Sequence, residues 1–287
     1  MIGIFDSGIG GLTVVRELLK QSPEADFVYL GDTARTPYGN KSPETVIRYS
    51  LEDAKFLLSH GATIIVVACN TASALASSAL RETFPDVPVF EVIAPAVEDA
   101  LAKTKGRVGV IGTRATISSG IYEKRLREKK DVEIITAACP LLVPLVEEGW
   151  LDNAETKRIV KHYLSPLRQA NIDTLILGCT HYPLLAKVIQ RTVGRRVNLI
   201  DSGASVVSRV LEHESLDRGS CHPRENGDPE NIQTIPIKSF REDSCFYGND
   251  NKSGRQNFFL TDVSNRSSEI AAKWLGQPIK FQKADMG

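Results

Sequence analysis

No charge of either sign predominates in this chain: 35 Lys and Arg offset 35 Asp and Glu over 287 residues, a formal net charge of zero. Without a basic excess or a polybasic segment, the usual signals for nucleic acid and for an anionic membrane surface are missing, and a small molecule becomes the expected ligand. No run approaches the roughly 18 apolar residues of a membrane span. The N-terminal MIGIFDSGIGG has neither the basic n-region nor the apolar h-region of a signal peptide, so a cytoplasmic protein is expected. C-x-x-C pairs are also absent. The cysteines are Cys69, Cys139, Cys179, Cys221 and Cys245, an odd number that suits free thiols in a reducing compartment better than a disulfide framework or a structural zinc site. Finally, there is no G-x-G-x-x-G and no P-loop lysine. DSGIGG follows a strand and opens a helix, where its amides suit an anion, but the turn reads better as a device that places Asp6 and Ser7.

What is present is alternation. Apolar runs at 2–5, 27–30, 63–68, 87–92, 107–112, 132–137, 173–178 and 197–200 are separated by segments of helical period such as PETVIRYSLEDAKFLLSHG. Strands alternating with helices predict parallel sheets covered on both faces. Eight strands also suit a closed (β/α)₈ barrel, and internal similarity decides against it. IGIFDSGIGGLTVV echoes VNLIDSGASVVSRVL, and HGATIIVVACNT (60–71) echoes ANIDTLILGCTH (170–181). The expected fold is therefore α/β, with two similar doubly wound parallel-sheet domains and the active site in the cleft between them. The stretch 215–256 is rich in Gly, Pro, Asn, Asp and Ser; at roughly 40 residues it exceeds an ordinary connection and reads as an insertion, with IQTIPI its one strand-like segment. Regular structure is expected again from NFFL, followed by a helix ending at Gly276.

In open α/β sheets ligands bind beyond the carboxyl ends of the strands. The residues falling there are Asp6 and Ser7, Asp32 and Thr33 with the Pro37-Tyr38-Gly39 turn, Cys69-Asn70-Thr71, Thr113 and Thr116, and Cys179-Thr180-His181. Cys139, Cys221 and Cys245 are read as packing residues. Cys69 and Cys179 differ because they occupy matching positions, each before hydroxyl or amide residues and a helix start, where a helix N-terminus lowers a thiol's pKa. Zinc is a poor fit, since C-x-H is not a usual ligand pair. A cysteine hydrolase would employ Cys179 and His181 and leave Cys69 idle. Two facing thiols suit inversion of a stereocentre beside a carboxylate, one taking a proton from one face and the other returning one to the opposite face. Asp6 and His181 stand beside the two thiols to tune or relay those protons.

Six ordered segments carry a resemblance: DSGIGGLTV (6–14), GDTARTPYG (31–39), CNTAS (69–73), GTRAT (112–116), PLVEEG (144–149) and GCTHYPLL (178–185). Together they resemble the glutamate racemases of the aspartate/glutamate racemase family, cofactor-independent enzymes that interconvert L- and D-glutamate and so feed peptidoglycan synthesis. The similarity runs from residue 2 to about 212 and resumes near Asn257. It implies that Cys69 takes the proton from D-glutamate and Cys179 from L-glutamate, assisted by Asp6, Glu147 and His181. Substrate contacts are implied at Asp6, Ser7, Tyr38, Gly39, Asn70, Thr71, Thr180 and His181, with weaker ones at Thr113 and Thr116. It also implies no metal, a homodimer, and two domains formed by residues 1–94 with 206–287 and by residues 95–205. The 215–256 stretch is longer than the family carries, but it follows the last motif and leaves the chemistry untouched. The chain has no N-terminal extension of the kind through which some members respond to a cell-wall precursor, so such control is not expected. The competing readings are an aspartate or hydantoin racemase, which shares the two cysteines, and a catalytically idle binding protein.

Overall fold

Residues such as Ile2–Asp6 and Phe27–Gly31 are buried along their whole length, as strands covered on both faces must be. The computed structural model describes residues 1–219 and 254–286. The chain runs β1 (Ile2–Asp6), α1 (Leu12–Gln21), β2 (Phe27–Gly31), α2 (Pro43–Ser59), β3 (Ile64–Val67), α3 (Asn70–Thr83), β4 (Val89–Glu91) and α4 (Ile93–Lys103). It continues through β5 (Arg107–Gly112), α5 (Arg114–Ser118), α6 (Ile121–Lys129), β6 (Glu133–Ala138), α7 (Leu142–Glu147), α8 (Ala154–Gln169), β7 (Thr174–Gly178) and α9 (Ala186–Val193). The last elements are β8 (Asn198–Asp201), α10 (Ser202–Gly219), β9 (Gln256–Leu260), α11 (Asn265–Leu275) and β10 (Gln282–Lys283). All eight expected strands form. The helix after NFFL starts on a Ser264 cap and stops at Gly276, whose φ of 73° lies in the left-handed region that glycine adopts freely.

Two open parallel sheets result, not a barrel. One has the order β10-β9-β2-β1-β3-β4 and the other β6-β5-β7-β8. The four-strand pattern 2-1-3-4 thus recurs as 6-5-7-8, and the cysteine follows the third strand of each set. That is the structural counterpart of the HGATIIVVACNT and ANIDTLILGCTH echo. The other echo is not a topological one. β1 lies inside its sheet while β8 is an edge strand, so the partner of β1 is β5. What β1 and β8 share is local turn chemistry. The Asp6 carboxylate accepts from the Gly8 amide at 3.0 Å, and that of Asp201 accepts from Gly203 at 2.9 Å.

One apolar cluster runs from Ile2, Ile4 and Val66 through Leu12 and Val97 to Ile176 and Val206, joining the two sheets; a second lies between the first sheet and α2 and α3, with Phe5, Leu57 and Ala76. Of the stretch 215–256, residues 220–253, with IQTIPI, Cys221 and Cys245, lie outside the described residues. At its borders α10 continues to Gly219 and β9 begins at Gln256, pairing with β2.

Candidate active site

The carboxyl ends of β1, β3, β5 and β7 converge on one cleft of about 360 Å³, whose wall includes Ser7, Cys69, Thr113 and Cys179. Cys69 has the extended backbone of a helix cap, and its sulfur accepts from the Ala72 amide at 3.5 Å. The thiol points toward the Ser7 hydroxyl, also at 3.5 Å. The sequence leads one to expect a lowered thiol pKa here, and the structure reverses that. Burial and the nearby Asp6 carboxylate push Cys69 up to about 12, and the amide of Ala72 opposes them only in part.

Cys179 is equally buried and differs from the expectation in its setting. No α-helix begins behind it: Tyr182–Leu185 form a 3₁₀ turn and α9 starts at Ala186. Its neighbour is the His181 ring, with Nδ1 3.8 Å from the sulfur and Nε2 3.1 Å from the Glu147 carboxylate. Burial opposes a charged ring, but the hydrogen bonds to Cys179 and Glu147 outweigh it and lift His181 to about 10. Because that folded value lies above the ordinary 6.5, the pairing's contribution to stability is complete below pH 6.5 and is lost as pH rises toward 10. Glu147→Gln is therefore expected to bring this alkaline loss to lower pH, which melting curves recorded between pH 6 and 10 will show as an earlier fall. Identical profiles for the parent and the variant would contradict the pairing.

Asp6 stands just behind Ser7, 1% exposed, and joins both halves: its Oδ1 accepts from the Thr180 hydroxyl at 3.4 Å. Burial raises its pKa, against the opposing charge of His181 and the amides of Gly11 and Gly8. The halves meet closely here. Thr13 donates to the Thr180 carbonyl at 2.9 Å, and a β-carbon on Gly10 would stand 2.3 Å from Thr180 Oγ1. Across the cleft mouth, Gly39 approaches Thr113 so closely that a β-carbon would stand 2.9 Å from it. Thr71, Thr113 and Thr116 form a hydroxyl cluster with contacts of 2.9 to 3.3 Å. Thr180 and His181 complete the wall beside Cys179.

Tyr38 lines the cleft, and its phenol is held by Asp32 at 2.5 Å and Asp53 at 2.8 Å. One expectation needs correction. Asp32 and Thr33 follow β2 without reaching the cleft. Asp32 is held by Arg35 and by the Thr261 hydroxyl, and Thr33 donates to the Asp262 carbonyl. The reason is that a parallel β9 lies beside β2 and draws that strand end toward the C-terminal segment. Asn70 is also in the wall, with its carboxamide engaged by Tyr122 and Ser202. Sequence reasoning missed Arg114, inside the GTRAT segment, and the apolar wall of Pro140, Leu141, Val143 and Pro144. The signal was the apolar run PLLVPLV, which reads alone as an ordinary helix. Cys139 is buried and its thiol is pushed up to about 12 by burial and by Cys179, which agrees with a packing role. Among the described residues, no three His, Cys, Asp or Glu side chains are grouped as metal ligands.

Residues 10–210 match the model of the Asp/Glu/Hydantoin racemase family. The glutamate racemase of Geobacter metallireducens is 54% identical over 222 residues, covering 76% of this chain and 82% of the relative. Among solved structures, a glutamate racemase isoform from Bacillus anthracis superposes with a TM-score of 0.84 at 36% identity, covering 99% of this chain and 97% of that one. The glutamate racemase of Francisella tularensis, solved with D-glutamate, gives 0.83 at 31% identity with the same coverage.

Proposed function

This chain belongs to the glutamate racemases of the Asp/Glu/Hydantoin racemase family, and from that premise we propose that Cys69 and Cys179 interconvert L- and D-glutamate without a cofactor by acting on opposite faces of the α-carbon. The observation that carries the proposal is the placement of both thiols in one cleft, each after the third strand of a repeated four-strand pattern. In the L-to-D direction the Cys179 thiolate takes the α-proton and the Cys69 thiol delivers its own to the other face. The reverse direction exchanges these roles, and no net proton is gained or lost. Thiolate formation at Cys69 is opposed by burial and by Asp6 when the cleft holds no cation. The substrate's α-ammonium supplies that cation on binding, so the thiol is activated only with substrate in place. Asp6 assists at the Cys69 side; His181 and Glu147 assist at the Cys179 side, where the ring nitrogen and sulfur already touch. Ser7, the backbone of Tyr38, Gly39 and Asn70, and the Thr71 and Thr180 side chains hold the substrate's carboxylates and ammonium, with Thr113 and Thr116 as lesser contacts.

The wider reading follows the family resemblance: D-glutamate supplied to peptidoglycan synthesis, in the cytoplasm, by a homodimer whose first domain is residues 1–94 with 206–287 and whose second is 95–205. No helix among the described residues is long and apolar enough to cross a membrane. Deuterium incorporation at the α-carbon in D₂O tests the chemistry. Both L- and D-glutamate are expected to exchange as they racemise, while aspartate remains unlabelled. An enzyme that leaves the α-hydrogen of glutamate in place would refute the assignment, and labelling of aspartate in preference would transfer it to another member of the family.

A further inference from the structure

The residue after one reactive cysteine is tied through buried side chains to the residues before the other. Asn70 is 2% exposed, and both ends of its carboxamide are occupied. Its Oδ1 accepts from the Tyr122 phenol at 2.6 Å, and its Nδ2 donates to Ser202 Oγ at 3.2 Å. The Ser202 hydroxyl donates in turn to the Leu177 carbonyl at 3.1 Å, two residues before Cys179. The Tyr122 ring lies against Gly178, where a β-carbon would stand 3.2 Å from it. Tyr122 and Ser202 are 2% and 1% exposed, on α6 and α10, and neither belongs to the cleft wall.

Inversion demands that two sulfurs sit on opposite sides of one carbon, yet each sulfur is carried by a different sheet. Their separation is therefore set by how the sheets dock, and this strut of hydrogen bonds crosses that junction beside both thiols. A buried, fully partnered polar network holds one geometry more narrowly than apolar contacts do, because each displaced group is left without a partner. We propose that Tyr122 and Ser202 are positioning residues that fix the spacing of the two thiols across the substrate's α-carbon. The proposal rests on the two-thiol reading above and assigns the Asn70 carboxamide to the strut.

A strut of this kind predicts an effect that simple loss of stability does not give. If the spacing loosens, one thiol still removes the α-proton, but the other no longer meets the opposite face. Solvent deuterium then returns to the face that lost hydrogen, and exchange outruns inversion. Tyr122→Phe and Ser202→Ala are compared with the parent and with Ser77→Ala, whose buried hydroxyl bonds within α3 to the Ser73 carbonyl. Each purified full chain is incubated in D₂O with L- or D-glutamate, and inversion and deuterium in the unreacted isomer are followed together. Inversion kcat is expected to fall about tenfold or more, as small misplacements of reacting groups commonly cost. KM changes less, and the ratio of same-face exchange to inversion rises. Ser202→Thr, which keeps the hydroxyl, restores the parent ratio, and Ser77→Ala retains it. Folded variants whose ratio equals the parent's, or whose two rates fall in equal proportion, would overturn the strut. A parent that neither exchanges nor inverts glutamate would instead overturn the two-thiol reading on which it rests.

Discussion

Serine at either Cys69 or Cys179 is expected to lower racemisation in both directions by about 10²- to 10⁴-fold, the span that a positioned acid or base contributes. A serine hydroxyl is too weak an acid to supply the alkoxide that would replace a thiolate. The two variants should nevertheless differ. With Cys179→Ser, Cys69 remains to take the α-proton of D-glutamate, so D-glutamate exchanges with D₂O while L-glutamate does not. With Cys69→Ser the asymmetry inverts. The fold should survive both changes: serine fits the space of either buried sulfur, and at position 69 it is itself a favoured cap for α3, replacing the Sγ that accepts from Ala72. Mass spectrometry of each recovered isomer reads the result. Full racemisation by both variants, or exchange of the same isomer by both, would end the two-thiol account.

The second large effect concerns stability. Arg35 reaches three carboxylates: its Nε bonds Asp32 at 2.6 Å, one Nη bonds Asp53 at 2.9 Å, and the other bonds Glu52. Asp32 and Asp53 are fully buried, and the Tyr38 phenol lies in hydrogen-bonding reach of both. Burial and the charge of Asp32 raise Asp53 well above the usual carboxylate range, against the opposing charge of Arg35. Arg35 is the positive charge packed against these buried carboxyl groups. Arg35→Met removes the cation from the buried Asp32 and Asp53, a change that costs about 3–5 kcal/mol when one member of a buried pair is removed. For a chain of this size the melting temperature should fall by roughly 6–20 °C. The Tyr38-Gly39 segment lines the cleft above this cluster, so KM for glutamate should rise more than kcat falls. Arg35→Lys should recover only part of the loss, because an ammonium cannot span three carboxylates as a planar guanidinium does. A melting temperature unchanged in Arg35→Met would show that the cluster carries no such weight.

Local pattern made much of this legible beforehand. Runs such as IIVV and TLILG read as strands covered on both faces, and the gapless echo from Ile64 to Cys69 and Thr174 to Cys179 marks the duplicated cysteine strand. The two Asp-Ser-Gly turns carry no such information, because a short turn motif records its own hydrogen bonds and nothing of its strand's neighbours. The thiol of Cys69 is another such case. Sequence shows the helix behind the sulfur, but burial and the distance to Asp6 are set by packing, and here they win.

Asp32 and Thr33 end a strand, which in sequence points to the cleft; the neighbour beside that strand, β9, lies more than 220 positions further along the chain. Tyr122, Ser202 and Arg35 illustrate the same division. Each is an unremarkable polar residue in sequence, acquiring a role only from side chains brought to it by other elements. The sequence by itself determined the alternation of strands and helices, the repeated cysteine strand and the chemistry those residues can perform. Those follow from side-chain period, propensity and functional groups, which are properties of neighbours along the chain. Tertiary structure alone decided which carboxylates face the cleft, which way the Tyr38 phenol points, how hard it is to ionise Cys69, and what holds the two thiols apart. Those depend on burial and on contacts between residues distant in sequence, and no local pattern encodes either.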